Sequence, residues 1–308
     1  MRVPEQMLKC VCFLCVQRTS TQGASWRYGG TGFFVAVPCE TRPPRALIYV
    51  VTARHCIDRA GGPVHLRVNR IDGDSEFLKA ESGWAFSADP AADVAVLPWA
   101  PPPDKYEYTF LPPLILLTPE RRAQLGIGPG DELIITGLFT ERYGRQRNLP
   151  IVRTGIIAAM PDEPLFDENT GLEYPAYVAE VRSIGGLSGS PVFAYLPPER
   201  AYPGAENVDP RRCLFLLGIV RGHWDYKTRK TTLAFSDDEL QAVNMGMALI
   251  TPIEEVTRVI HGPELTASRS RAAAEMDEKP SAMTKQPGHG EPPPSPSDPG
   301  GVPGRSVD

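Results

Sequence analysis

The sequence lacks two features that would place it in common functional classes: a long apolar run and a cluster of basic residues. No apolar stretch is long enough to cross a bilayer as a helix, so no membrane partner is expected. The net charge of −5 provides no cationic surface for nucleic acid. With 308 residues, of which 42% are hydrophobic, the chain can build a sizeable core and two domains of ordinary size.

The six cysteines also lack the spacing of a disulfide framework. Three of them, Cys10, Cys12 and Cys15, lie in one short segment. A metal site is one interpretation, but the spacing does not fit a zinc knuckle and no histidine is close. The pattern favours a first β-strand that uses cysteine as a small apolar residue. It also favours a reducing compartment, hence the cytoplasm, over secretion with a signal peptide in residues 1–24.

Short apolar runs between glycine, proline and aspartate turns predict a chain of β-strands, typical of barrels or sandwiches. The proline-rich stretch 98–113 predicts a linker, because proline fixes φ and donates no ladder hydrogen bond. We therefore expect one domain over 1–97 and a second over 114–262, which ends in a short helix. Residues 263–308, rich in proline, glycine and serine, are predicted to form a disordered tail.

A serine between glycines is the strongest chemical signal in the chain. Residues 185–193 read Gly-Gly-Leu-Ser-Gly-Ser-Pro-Val-Phe. Glycines permit a tight turn that directs backbone N–H groups into one pocket, as an oxyanion hole requires. A serine becomes a nucleophile when a base, oriented by a third group, takes its proton. His55, in Thr-Ala-Arg-His-Cys, and Asp93, in Asp-Val-Ala-Val-Leu, lie upstream of Ser188 and supply both groups.

The order histidine, aspartate, serine is that of the chymotrypsin type; α/β-hydrolases and subtilisins use other orders. A nucleophile elbow would also need glycine where the chain has Ser190. The segments match the motifs T-A-x-H-C, D-x-A-x-L and G-x-S-G-[GS]-P. On these motifs the chain resembles the trypsin-like (chymotrypsin-fold) serine peptidases, in particular their bacterial-type members, over roughly residues 8–262.

This resemblance implies an all-β fold of two antiparallel β-barrels with a short C-terminal helix and the active site between the barrels. It implies Ser188 as nucleophile, His55 as general base and Asp93 as the group that orients His55. The N–H groups of Gly186 and Ser188 would form the oxyanion hole. Asp89 lies close to Asp93 in sequence, but Asp-Pro at 89–90 favours a turn.

The resemblance also implies positions that bind substrate. The strand after the nucleophile is expected to pair with a peptide through Val220, Arg221 and Gly222, with His223 lining the cleft. Arg182 falls near the base of the specificity pocket, where a cation would favour acidic side chains over basic ones.

Two departures from the family pattern bear on regulation. Leu187 stands where zymogen-activated members carry an acidic residue, so we expect no activation by a new N-terminus. The oxyanion hole must then be ordered by packing or by a binding event. The cysteine after the histidine, Cys56, is present, but Gly30 stands at the position of its disulfide partner, so that disulfide is expected to be absent.

The sequence therefore predicts a serine endopeptidase that acts through an acyl-enzyme on protein or peptide substrates, without metal or organic cofactor. An activating partner protein is compatible with the missing zymogen residue. The alternative is a peptide-binding or regulatory module with low or no turnover on the same scaffold, since a fold does not fix a function.

Overall fold

The computed structural model describes residues 2–21, 23–39, 46–80, 82–167, 170–181, 186–197, 213–229 and 240–278. Arg182 and residues 279–308 of the predicted tail lie outside these ranges. Within them, two antiparallel β lobes make up most of the chain. This confirms the all-β fold class predicted from the motifs.

The first lobe is a seven-stranded antiparallel sheet. Its strands are β1 (Val11–Ser20), β2 (Gly23–Pro38), β3 (Ala46–Thr52), β4 (Val64–Asn69), β5 (Ser75–Lys79), β6 (Ala85–Phe86) and β7 (Ala95–Pro98). They lie in the order β5-β4-β1-β2-β3-β7-β6. Both faces are buried: along β2, Phe33 and Val35 face one apolar core and Phe34 faces another. Successive side chains of a strand point to opposite faces, so the unbroken apolar run in β2 suits a sheet covered on both sides.

The second lobe is a closed barrel of six strands. Its strands are β8 (Glu132–Gly137), β9 (Ile151–Ala159), β12 (Tyr177–Glu180), β13 (Pro191–Tyr195), β14 (Leu214–Arg229) and β15 (Leu240–Pro252), beside a hairpin of β10 (Leu165–Asp167) and β11 (Leu172–Tyr174). The barrel closes in the order β12-β15-β14-β13-β8-β9. Its interior is lined by apolar side chains such as Leu133, Val192 and Leu217.

The helices are short apart from the last. They are α1 (Glu5–Lys9), α2 (Arg54–Asp58), α3 (Pro119–Gln124), α4 (Ile253–Ile260) and α5 (Pro263–Glu278), with 3-10 turns at Pro113–Ile115 and Thr140–Arg142. The helix α4 is the short helix expected after the second lobe, and its apolar side buries Ile253 and Val256. Among the described residues, none of the helices is long and apolar enough to cross a membrane.

The predicted start of the disordered tail at residue 263 is wrong, because 263–278 form α5. Pro263 suits a first helical position, and alanines favour the helix further on. Leu265 is buried in the core between the lobes, and Arg269 donates to the carbonyl of Ile260 and lies over the Tyr49 ring. These tertiary contacts hold a segment whose composition alone indicated disorder.

The lobes share a continuous apolar core, to which Phe33 of β2, Phe193 of β13 and Ile253 of α4 all contribute. Arg67 of β4 adds a polar link: it is almost fully buried and donates to the carbonyls of Gly144 and Arg145. Residues 99–112, in the predicted linker, contain no helix or extended strand and run along the first lobe.

The cysteine-rich segment forms β1 and the turn before it, as the β-strand interpretation predicted. Cys10, Cys12 and Cys15 are buried in the first lobe. Burial raises the pKa of each thiol, so the three side chains act as apolar groups of the core.

Candidate active site

His55 and Asp93 are joined by two hydrogen bonds. Asp93 Oδ2 accepts from His55 Nδ1 at 2.7 Å, and Asp93 Oδ1 accepts from the backbone N–H of the same histidine at 2.9 Å. His55 lies in the first turn of α2, directly after β3, and Asp93 lies just before β7, the neighbour of β3. The carboxylate therefore fixes both the position and the tautomer of the ring, with Nε2 left as the proton acceptor.

The hydrogen bonds between His55 and Asp93 shift the pKa of both groups. Burial lowers the pKa of His55, but hydrogen bonds to Asp93 and to the Cys56 sulfur outweigh it and raise the pKa from 6.5 to about 10. Burial raises the pKa of Asp93, yet the hydrogen bond from His55 prevails and the net pKa is lowered. Both shifts favour the ion pair of imidazolium and carboxylate. His55 acts as a base in its neutral form, in which Nε2 is the proton acceptor.

Asp89, the other carboxylate of this region, has a local role. It accepts a hydrogen bond from the N–H of Ala91 and forms the turn that the Asp-Pro pair predicted. Asp93, and not Asp89, is therefore the carboxylate that accepts hydrogen bonds from His55.

The loop around Ser188 is held between the two lobes. On one side, Thr31 of β2 donates its N–H to the carbonyl of Ser188 at 2.9 Å and its hydroxyl to the carbonyl of Gly186 at 2.9 Å. On the other side, Gly189 N–H donates to the carbonyl of Val220 at 2.8 Å. Leu187 is fully buried in the barrel core. Among the described residues, packing and hydrogen bonds order this loop.

Two glycines of the loop take conformations that other residues rarely adopt. Gly186 has φ +98° and Gly189 has φ +80°. A Cβ on Gly189 would lie 2.3 Å from the carbonyl oxygen of Thr31 and 2.3 Å from the hydroxyl of Thr52. Within the described part of the chain, no hydrogen bond uses the N–H of Gly186 or of Ser188. These are the two donors expected for an oxyanion hole.

The Cys56 thiol lies close to both Ser188 and His55. The Cys56 sulfur lies 3.7 Å from the Ser188 carbonyl oxygen and 3.8 Å from His55 Nε2. Among the described residues, no hydrogen bond joins the Ser188 hydroxyl to His55. Catalytic hydrogen bonds are often formed only when substrate is bound, so this geometry is compatible with a nucleophile at rest.

Cys56 forms no disulfide: all six cysteines lie among the described residues, and no disulfide joins any of them. A Cβ on Gly30 would lie only 2.6 Å from the Cys56 sulfur. Gly30 therefore faces Cys56 at the position where the family resemblance implied a missing partner, and the thiol remains available to contact His55.

The residues of this strand that were expected to bind substrate, 220–223, lie near the middle of β14. Val220 differs from that expectation, because its N–H donates to the Ser190 carbonyl and its own carbonyl accepts from Gly189. Its backbone supports the nucleophile loop instead of facing a peptide. Gly222 and His223 follow on the same strand, and His223 is exposed. Arg182 lies outside the described residues.

Arg221 contacts the first lobe, which the sequence analysis did not anticipate. Its guanidinium donates to the Ala91 carbonyl at 2.7 Å and stacks over the Tyr174 ring at 3.8 Å. It thereby attaches β14 to the segment before Asp93, and its charge contributes to the lowered pKa of that carboxyl.

Thr31 and Thr52 are site residues that the sequence motifs did not indicate. Both are fully buried; Thr31 bonds the loop that bears Ser188, and Thr52 bonds the carbonyl of Thr31. Thr52 opens the T-A-x-H-C motif, so its position was visible, but motif spacing contains no information about which carbonyl its hydroxyl would reach.

Comparison with known proteins does not assign the site. No family model and no curated protein matches the chain. Among solved structures, 218 chains match. One is the crystal structure of Rv3671c from M. tuberculosis H37Rv, a serine-to-alanine mutant in an inactive form. It has a TM-score of 0.41 and 16% identity, over 86% of this chain and 89% of that one. The chemical interpretation of the site therefore rests on its own residues.

Proposed function

We propose that the protein is a serine endopeptidase of the trypsin-like type, with Ser188 as nucleophile, His55 as general base and Asp93 as the residue that orients His55. The observation that supports it best is the pair of hydrogen bonds that Asp93 accepts from the ring and the backbone N–H of His55. It leaves Nε2 as the ring nitrogen that can take a proton, on the side where the Ser188 loop lies.

The proposed reaction follows from these positions. Ser188 Oγ attacks the carbonyl carbon of a peptide bond while His55 Nε2 takes the hydroxyl proton. The N–H groups of Gly186 and Ser188 stabilise the oxyanion, and each such donor typically contributes about 2.7–4 kcal/mol. His55 then gives its proton to the leaving amine. Water attacks the acyl-enzyme by the same proton transfers and regenerates the free serine. This scheme uses no metal or organic cofactor.

A second candidate function is a latent peptidase or peptide-binding module that an activating partner protein switches on. Two observations favour it: the raised pKa of His55, and the absence of a hydrogen bond from the Ser188 hydroxyl to His55 among the described residues. In this form of the proposal, a partner or a substrate draws Ser188 and His55 together. We propose a reducing, cytoplasmic location for either form, since the six cysteines form no disulfide.

Labelling with a fluorophosphonate probe tests the proposal directly, because the probe reacts only with an activated serine. We expect labelling of the wild-type protein at Ser188, identified by mass spectrometry of the modified peptide. It should be lost in Ser188→Ala and in His55→Ala. Ser190→Ala is the matched control, since this neighbouring serine is buried. Labelling should be measured at neutral pH and near pH 10, because the pKa of His55 is raised to about 10.

The outcomes separate the two candidates. Labelling of the isolated protein supports the endopeptidase. Labelling that appears only with an added partner or peptide supports the latent form. A wild-type protein that is not labelled at either pH, with or without peptides, contradicts catalysis by Ser188.

A further inference from the structure

A cavity of about 160 Å³ lies beside His55. It is lined by Cys56 and Gly29 and by the apolar side chains of Leu14, Val16 and Val64. Arg27 and Arg59 also line it. A cavity of this size holds one side chain of moderate length, with an apolar stem and a polar end near the arginines.

The charge around this cavity is concentrated and positive. Arg27 and Arg59 are exposed, and Arg18 reaches the same turn, with a guanidinium nitrogen 3.5 Å from where a Cβ on Gly61 would lie. In the part of the chain that the structure describes, no carboxylate pairs with any of the three. The nearest acidic side chain in sequence, Asp58, pairs with Arg54. The three arginines thus form a local positive surface, although the net charge of the chain is −5.

The Arg27 guanidinium is positioned by the fold. One of its nitrogens donates to the carbonyl of Ala60 at 2.6 Å, and Ala60 also lines the cavity. A guanidinium has five N–H donors in a fixed plane, so most remain available for a carboxylate. Because the contact to Ala60 restricts the side chain before a ligand arrives, less conformational freedom is lost on binding.

The direction of a bound peptide places one half of it over this cavity. The Ser188 loop is bonded to β14 on one side, through Gly189 and Val220, and to β2 on the other, through Thr31. If the acyl half of a substrate peptide extends along β14 beyond Val220, we expect the rest of the peptide to leave Ser188 toward β2. Its amine half, which follows the scissile bond, would then pass Gly29 and Cys56, which line the cavity together with the two arginines.

On the basis of the proposed peptidase function, we propose that this cavity selects substrates with aspartate or glutamate shortly after the scissile bond, through Arg27 and Arg59. A basic residue at the same position would face two like charges, which is unfavourable where water is partly excluded. This selection concerns the leaving half of the substrate and is independent of Arg182.

The first test is digestion of a randomised synthetic peptide library, with every new N-terminus read by mass spectrometry. We expect aspartate and glutamate to exceed lysine and arginine by roughly tenfold among the first three residues of the new N-termini. The double variant Arg27→Glu with Arg59→Glu should invert the preference. The double variant Arg27→Lys with Arg59→Lys keeps the positive charge and should therefore keep the preference for acidic residues. Arg271→Glu, an exposed arginine on α5, is the control for overall charge.

A second test does not require turnover. Fluorescent heptapeptides with three consecutive glutamates or three consecutive lysines are titrated into Ser188→Ala protein, and binding is followed by anisotropy. We expect the glutamate peptide to bind roughly tenfold more tightly, and the double reversal to remove this difference. Equal binding of the two peptides, or a preference that survives the reversal, overturns the inference. Absence of cleavage and labelling with intact acidic selectivity would instead contradict the peptidase proposal and leave the acidic-peptide site standing.

Discussion

Thr52 donates its hydroxyl to the carbonyl of Thr31 at 2.8 Å. Thr52 lies three residues before His55, and Thr31 is hydrogen-bonded to the loop that bears Ser188. Thr31 in turn donates its own hydroxyl to the Gly186 carbonyl and accepts from the N–H of Leu138. The two side chains form one buried network between the lobes. The relative position of His55 and Ser188 therefore depends on two hydroxyl groups that take no part in the proposed chemistry.

Replacing Thr31 by valine should disturb the active site more than the fold. The change removes the hydrogen bond to Gly186 and leaves the buried N–H of Leu138 without an acceptor, at a cost of about 1–3 kcal/mol. We expect the free energy of unfolding to fall by that amount and the rate of fluorophosphonate labelling to fall at least roughly tenfold. Thr257→Val is the control, because that hydroxyl bonds only within α4. Equal labelling rates in the two variants would contradict a role for Thr31 in ordering the loop.

Gly189→Ala should be far more damaging than an alanine at another glycine with positive φ. A Cβ at 189 would clash with the carbonyl oxygen of Thr31 and with the hydroxyl of Thr52, each 2.3 Å away. Gly73 is the matched control, since it has φ +92° and nothing lies within 4 Å of its Cβ position. Gly73→Ala isolates the backbone strain, about 1–2 kcal/mol.

The excess cost at Gly189 should be about 1–3 kcal/mol, the usual range for overpacking a rigid site. Chemical denaturation measures both variants, and labelling should be abolished only in Gly189→Ala. If the two alanines cost the same, the close approach of Gly189 to Thr31 and Thr52 does not hold in solution.

Much of this site could be predicted from the sequence because its geometry is local to short motifs. His55 and Asp93 stand at the ends of apolar strands, and Gly186 and Gly189 flank the serine, so residue types and order were enough to suggest the proposed reaction. The all-β class followed for a similar reason, since strand-length apolar runs and turn residues recur along the chain.

The unpredicted features depend on tertiary contacts. Helix α5 forms because Leu265 is buried between the lobes and Arg269 packs on Tyr49, contacts that composition cannot indicate. Arg221 lies in the expected strand, but its reach to Ala91 and Tyr174 depends on the position of the other lobe. The grouping of Arg18, Arg27 and Arg59 also depends on tertiary contacts, because these residues come from β1, β2 and the end of α2.

The raised pKa of His55 predicts alkaline activity. Labelling by the fluorophosphonate requires neutral His55, so its rate should rise with pH toward about 10 and should be slow at neutral pH. Cys56→Ala removes one contact that raises this pKa, so the midpoint should move to lower pH. Rates measured across the pH range for both proteins test this. A wild-type midpoint near 6.5, unchanged in Cys56→Ala, would show that the thiol does not stabilise the imidazolium.

The same coupling makes stability depend on pH in a defined window. The pKa of His55 is raised above 6.5, so its contribution is complete below that pH and is lost as the pH rises toward about 10. The pKa of Asp93 is lowered below 3.8, so its contribution is present above that pH and is lost on acidification. The difference in unfolding free energy between wild type and His55→Ala should therefore be greatest between about pH 3.8 and pH 6.5. Urea denaturation at several pH values measures it, and a difference that grows above pH 6.5 would contradict the assigned signs.

Gly30→Cys should create a disulfide that the natural chain does not have. The Cβ position of residue 30 lies 2.6 Å from the Cys56 sulfur, so a small adjustment brings a second sulfur into bonding distance. Under oxidising conditions we expect loss of two thiols and a gain in stability of about 2–4 kcal/mol that a reductant reverses. Gly29→Cys is the matched control, because nothing lies within 4 Å of its Cβ position. A disulfide to Cys56 in the Gly29→Cys control, or no disulfide in either variant, would refute the assigned geometry.

The oxidised Gly30→Cys variant also separates two roles of Cys56. A disulfide keeps the volume of the sulfur beside His55 but removes the thiol that contacts Nε2 at 3.8 Å. If the thiol is what raises the pKa of His55, the pH midpoint of labelling should fall on oxidation, as in Cys56→Ala, and return on reduction. If the pH midpoint of labelling shifts in Cys56→Ala only because the loss of the sulfur leaves a cavity beside His55, oxidation of Gly30→Cys should leave that midpoint unchanged. The same sample measured in both redox states supplies its own control, since the sequence is identical and only the bond between residues 30 and 56 differs.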